Sequence, residues 1–137
     1  GELSDAACVL DWLQQYNTNS KICWVAGFSF GAWIAMQLLM RRPEINGFVS
    51  VSPSANFRDF SFLAPCPSSG LIIHGDKDNI ASFDSTKILS EKLQQQKKVE
   101  IKFYPIKGAD HFFENFTDEF ENSINEYINL KINQKNS

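Results

Sequence analysis

The sequence contains no run approaching the roughly 20 apolar residues needed to cross a bilayer, and no signal peptide is visible, so membrane contact is not expected. It also lacks a basic excess. Its 13 Lys and Arg against 16 Asp and Glu leave a net charge of −3, which argues against nucleic acid or an anionic membrane as partner. Lys97, Lys98 and Lys102 gather locally, but a solvated helix end accounts for them. Cysteine is scarce: Cys8, Cys23 and Cys66 are odd in number and without metal-ligand spacing, which excludes a simple disulfide framework or zinc site. Cys8 and Cys23 lie in apolar runs, where a thiol behaves as a small hydrophobe, so all three read as reduced thiols of a cytoplasmic protein. No metal or other cofactor is expected, and there is no internal repeat or low-complexity segment.

What is present is ordinary for a globular chain. A length of 137 residues, 43% hydrophobic and 21% charged, suits one domain with a buried core. Leu3, Ala6, Val9, Leu10, Leu13 and Tyr16 recur at helical spacing and predict an amphipathic helix over residues 3–16. A strand over 21–26 is apolar on both faces, the pattern of a central parallel strand. A helix from Phe30 to Arg42 is stopped by Pro43, and a second strand spans 46–51. The stretch Ser52 to Ser69 is a long loop. Its Phe57, Phe60, Phe62 and Leu63 can wall an apolar substrate pocket with Phe28, or they can anchor the loop to the core, and anchoring is the preferred reading.

A third buried strand, Leu71 to His74, leads into Gly75-Asp76-Lys77-Asp78. A helix follows to Gln96, with Ser82 as the expected N-cap and Ile88, Leu89 and Leu93 inward. The strand 99–106 alternates apolar and polar residues and reads as an edge. The last helix is expected from Phe113 to Leu130, with a frayed tail from Asn133. Strands alternating with helices predict an α/β fold: a parallel sheet of about four strands with helices on both faces.

Gly27-Phe28-Ser29-Phe30-Gly31 lies between the first strand and its helix. Gly-x-Ser-x-Gly alone would occur by chance in roughly 4% of chains this long. In a strand-to-helix context it reads as a nucleophile elbow, a turn too tight for side chains beside the serine. A serine hydroxyl needs a base, and the base an orienting carboxylate. His111 is the natural base, since His74 falls inside a buried strand and reads as a hydrogen-bonded core residue. Asp76, Asp78, Asp84 and Asp110 compete as the acid. Asp110 adjoins His111 and is set aside, while Asp78 lies deeper in its loop and is preferred over Asp76. Ser29, Asp78 and His111 all follow strands and so fall at the carboxyl edge of the sheet, where such folds place their sites.

The segments GFSFG, HGDKD and GADHFF resemble the nucleophile, acid and histidine motifs of the α/β-hydrolase superfamily, in the branch of small hydrolases related to dienelactone hydrolase. The likeness implies Ser29 as nucleophile, Asp78 as acid, His111 as general base and the Phe30 N–H as one oxyanion donor. It also implies a small ester or thioester substrate. Family members carry further strands and a second oxyanion donor before the matching region, so the chain is expected to be a C-terminal portion, weak or inactive alone. Its first strand would then be open, and two copies are expected to pair across residues 21–26 or to bury the exposed face in some other way. The alternative is a non-catalytic module of the same fold used for binding or assembly.

Overall fold

The computed structural model describes residues 23–63 and 65–136. The predicted helix over 3–16, Cys8 and the start of the first strand lie outside the described residues. Among the described residues four parallel strands form one sheet in chain order: β1 (Trp24–Phe28), β2 (Gly47–Val51), β3 (Gly70–Gly75) and β4 (Ile101–Ile106). Three helices connect or follow them: α1 (Phe30–Arg41), α2 (Phe83–Gln94) and α3 (Thr117–Asn136), with a short 3-10 turn at Ser61–Leu63.

The two-residue period of the strands divides the core in two. On one face Val25, Phe48 and Ile72 pack with Ile34, Ala35 and Leu38 of α1 and Leu93 of α2. On the other face Trp24, Val49, Leu71 and Ile73 meet Phe113, Tyr127 and the α3 side chains Phe120, Ile124 and Ile128. Every residue of β2 and β3 is buried, which is why these strands show no apolar–polar alternation beyond the single polar residues Ser50 and His74. Each wholly buried Leu or Ile there contributes about 1.5–3 kcal/mol. β4 is buried only at its ends and forms one border of the sheet. Among the described residues β1 pairs with β2 alone. Its open flank, with Val49, Val51, Phe120, Ile124 and Ile128, lines an apolar groove of about 390 Å³.

Several boundaries differ from the sequence reading. β1 extends to Phe28 because its register with β2 continues through Phe28 opposite Val51, and Ser29 N–H donates to the Val51 carbonyl at 2.8 Å. α3 begins at Thr117, not Phe113. Phe113 and Asn115 take left-handed φ values of 58° and 67°, and Asp110 Oδ1 accepts the N–H groups of Phe112 and Glu114. Residues 110–116 are therefore a tight turn whose Phe113 stacks on Phe120 at 4.6 Å. The helix then runs through Asn136, because nothing in the polar tail, neither glycine nor proline, stops it. Ile88 is exposed instead of facing inward.

The 52–63 stretch is tied down at several points. Arg58 lies over the rings of Phe30 and Trp33, and Trp33 Nε1–H donates to the Asp59 carbonyl. Phe60 and Leu63 are buried in the core and Phe62 packs against it, whereas Phe57 is 70% exposed. Phe57 and Phe60 border an open groove of about 690 Å³ against α2, whose lining excludes Ser29, Asp78 and His111.

Candidate active site

Ser29 sits between β1 and α1 at φ 58° and ψ −118°, a conformation strained for a residue with a side chain. The turn closes because Gly27 has no Cβ: one built there would lie 2.3 Å from the Gly31 carbonyl oxygen and 2.8 Å from Ala32 Cα. Gly31 is different. A Cβ at Gly31 meets nothing within 4 Å, so the crowding expected on both sides of the serine exists on one. The Phe30 N–H belongs to the first residue of α1, where backbone donors have no partner within the helix.

Asp78 follows β3 and His111 follows β4. The two loops come together because Gly75 lets the backbone of Ala109 pass where a Cβ would stand 2.3 Å from its carbonyl oxygen. Lys77 N–H donates to the Ala109 carbonyl, and Gly108 N–H to Asp76 Oδ1 at 2.7 Å. That bond occupies Asp76 as a brace, and Asp110 is likewise used in its own turn.

Asp78 has a fully buried side chain. Its Oδ1 accepts the N–H groups of Ile80 and Ala81, each at 2.8 Å, and its Oδ2 lies 2.7 Å from His111 Nδ1. A carboxylate only accepts, so Nδ1 carries the proton and Nε2 is the acceptor. His111 Nε2 lies 3.0 Å from Ser29 Oγ. His111 is 3% exposed, and its ring lies 5.0 Å from Phe28 and from Phe112, both of which reach the surface.

The structure adds residues that the sequence reading did not assign. Ser52, held at φ 46° and wholly buried, donates its hydroxyl to the His111 carbonyl at 3.2 Å, and Ser54 Oγ lies 3.5 Å from Ser29 Oγ. Both follow β2, and the carboxyl-edge rule applied to the other three strands would have drawn attention to them. Phe112 adjoins His111 in sequence, which was the available signal. His74 is buried and hydrogen-bonded as expected, but its Nε2 also lies 3.1 Å from Asp78 Oδ2. Burial lowers its proton affinity below the ordinary histidine value, despite the nearby carboxylate. Cys23 and Cys66 are buried, and burial pushes the Cys66 thiol up.

A parallel sheet flanked by helices, with a serine turn after β1 and an aspartate and histidine after β3 and β4, matches the α/β-hydrolase fold. Within that class, residues 2–135 match the dienelactone hydrolase family, and the chain belongs to it. An uncharacterized protein of Rickettsia prowazekii is 54% identical over 132 residues, 93% of this chain and 56% of that protein. A putative α/β hydrolase of unknown function from Agrobacterium tumefaciens is 55% identical with a TM-score of 0.86, over 98% of this chain and 62% of that one. An α-β serine hydrolase homologue from Coxiella burnetii is 29% identical with a TM-score of 0.66, over 86% and 54%. The chain thus spans a little over half the length of these relatives. No described helix is long and apolar enough to cross a membrane.

Proposed function

We propose that this chain carries the nucleophile, base and acid of a serine hydrolase that cleaves small carboxylic esters or thioesters. The observation that carries this reading is the His111 imidazole, 3.0 Å from Ser29 Oγ on one side and 2.7 Å from Asp78 Oδ2 on the other. Ser29 Oγ attacks the substrate carbonyl as its proton passes to His111 Nε2, and Asp78 stabilises the imidazolium. The Phe30 N–H faces the developing oxyanion from the start of α1, where the helix dipole adds to it. The leaving group departs with the proton from His111, and water, activated by the same imidazole, releases the acid. Phe28 and Phe112 supply the apolar side of the substrate site; Phe57, Phe60 and Phe62 serve the loop instead.

A fluorophosphonate probe tests the proposal. Covalent attachment at Ser29 that vanishes in Ser29→Ala is expected, and no attachment in a version extended to the relatives' length would refute it. The 137 residues alone are proposed to react more slowly than such a version by about 10²–10³, the usual cost of one oxyanion donor. Against a purely binding role stands the direction of the side chains, Asp78 turned toward His111 and His111 toward Ser29. We also propose that a second copy covers the apolar flank of β1. A compact monomer by sedimentation at micromolar concentration would remove that part.

A further inference from the structure

His74 stands near the end of β3 with its side chain wholly enclosed. Its Nε2 lies 2.9 Å from the Ala81 carbonyl, which can only accept, so Nε2 carries the ring proton. That same nitrogen lies 3.1 Å from Asp78 Oδ2, the oxygen that takes the His111 Nδ1–H. His111 thus gives its Nδ1–H to Asp78 Oδ2, while the His74 Nε2–H, donated to the Ala81 carbonyl, lies close beside the same carboxylate oxygen. The remaining nitrogen, Nδ1, is buried without a hydrogen-bond partner, and the edge of the ring meets Phe83 at 5.8 Å. An unpaired buried nitrogen is unfavourable, and an aliphatic residue would avoid it. What offsets it is the work of Nε2.

We propose that His74 is a positioning residue whose Nε2–H tempers the negative charge that Asp78 turns toward His111. The proposal rests on the serine-hydrolase reading of Ser29, His111 and Asp78. Two opposite effects would follow from removing His74. Slackening of the Asp78 loop would weaken its grip on His111, whereas loss of the N–H would leave more charge on Oδ2 and strengthen that grip.

The loop has other holds. Asp76 N–H donates to the Ile106 carbonyl, Lys77 N–H to the Ala109 carbonyl, and Ser82 N–H to Asn56 Oδ1. Ile80 and Ala81 hold Asp78 Oδ1 from within the loop. The geometry therefore persists, and the charge effect wins. The ionisable groups facing His74 are Asp78 and His111, while α2 offers the uncharged ring of Phe83.

The experiment is the pH dependence of fluorophosphonate labelling of the full chain. In His74→Leu the pH of half-maximal labelling rises by roughly half to one unit, because more negative charge then stays on Asp78 Oδ2 beside His111 Nδ1. Labelling on the acid side slows about three- to tenfold, while the rate at high pH is unchanged. His74→Gln, which returns an N–H donor, restores the original midpoint. A midpoint that stays or falls in His74→Leu, or a glutamine variant that behaves like leucine, overturns the proposal.

Should the leucine variant not fold, nitrogen-15 NMR of the native histidine rings decides. A neutral Nε2–H tautomer for His74, with a ring resonance that responds to Asp78→Asn, supports the inference, and an Nδ1–H tautomer overturns it. If the native chain and its extended version are never labelled, the hydrolase reading fails instead, and the same NMR measurement still judges His74.

Discussion

Gly27 and Gly31 look equivalent in the sequence, yet the structure predicts opposite outcomes when each becomes alanine. At Gly27 the new methyl would meet three backbone atoms, the Gly31 carbonyl oxygen at 2.3 Å, its carbon at 2.6 Å and Ala32 Cα at 2.8 Å. Relief to ordinary contact requires about 1 Å of movement by the first turn of α1, since no flexible side chain can yield. Overpacking of that kind costs about 1–3 kcal/mol, and the moving backbone carries Ser29 with it. At Gly31 the methyl meets nothing, and replacing a helical glycine by alanine stabilises by up to about 1 kcal/mol. The expected separation between the two variants is therefore about 1–4 kcal/mol, with Gly27→Ala the less stable. Urea denaturation measures it, and Ser29 labelling should fall in Gly27→Ala and persist in Gly31→Ala. Equal stabilities, or a loss at Gly31 as large as at Gly27, would refute the steric account of the elbow.

Asp78→Asn is expected to slow labelling of Ser29 by roughly 10³–10⁴, because its amide would meet the N–H of His111 and reverse the tautomer that faces Ser29. Folding stability should decline as pH falls below 6.5: His74 gains its proton less readily when folded, so the unfolded chain binds more protons there. His74→Gln should flatten that part of a stability-against-pH curve. Tyr127, buried with its ring tilted against Trp24, has its phenol pushed up to about 12 by burial and then by Glu100. The folded chain then holds a proton that the unfolded one has lost above pH 10, so stability should drop between 10 and about 12, and Tyr127→Phe should remove the late step from an ultraviolet titration.

The strands were legible because their patterns are extreme: Leu71 to Ile73 is apolar throughout and Val99 to Tyr104 alternates. Ser29, Asp78 and His111 could be singled out because each follows such a strand, and the parallel order brings their ends together. What was not legible depends on backbone geometry or on distant packing. Left-handed φ at Phe113 and Asn115 has no glycine to announce it, so Phe113 and Phe116 read as helix when they close a turn. Ser52 is another such residue, and its bond to the His111 carbonyl joins positions far apart in the chain. Phe57 and Phe60 share a composition and a loop, but one faces solvent and the other the core. Nor does the spacing of His74 and Asp78 reveal that an imidazole inside a strand reaches back to a carboxylate in the loop above it.

The order of the sheet divides the site unequally. Asp78 and His111 ride on adjacent strands, β3 and β4, whereas Ser29 rides on β1, which among the described residues pairs in the sheet with β2 alone. A cooperative unit built on β2, β3 and β4 can therefore stay intact while β1 detaches, a partial opening that removes the nucleophile and leaves the acid–base pair in place. Amide hydrogens of Val25 and Ala26 should exchange faster than those of Leu71 and Ile72, and mild heating should abolish Ser29 labelling while most of the helical signal remains. The serine's reactivity would then report the docking of a single strand before it reports the melting of the domain.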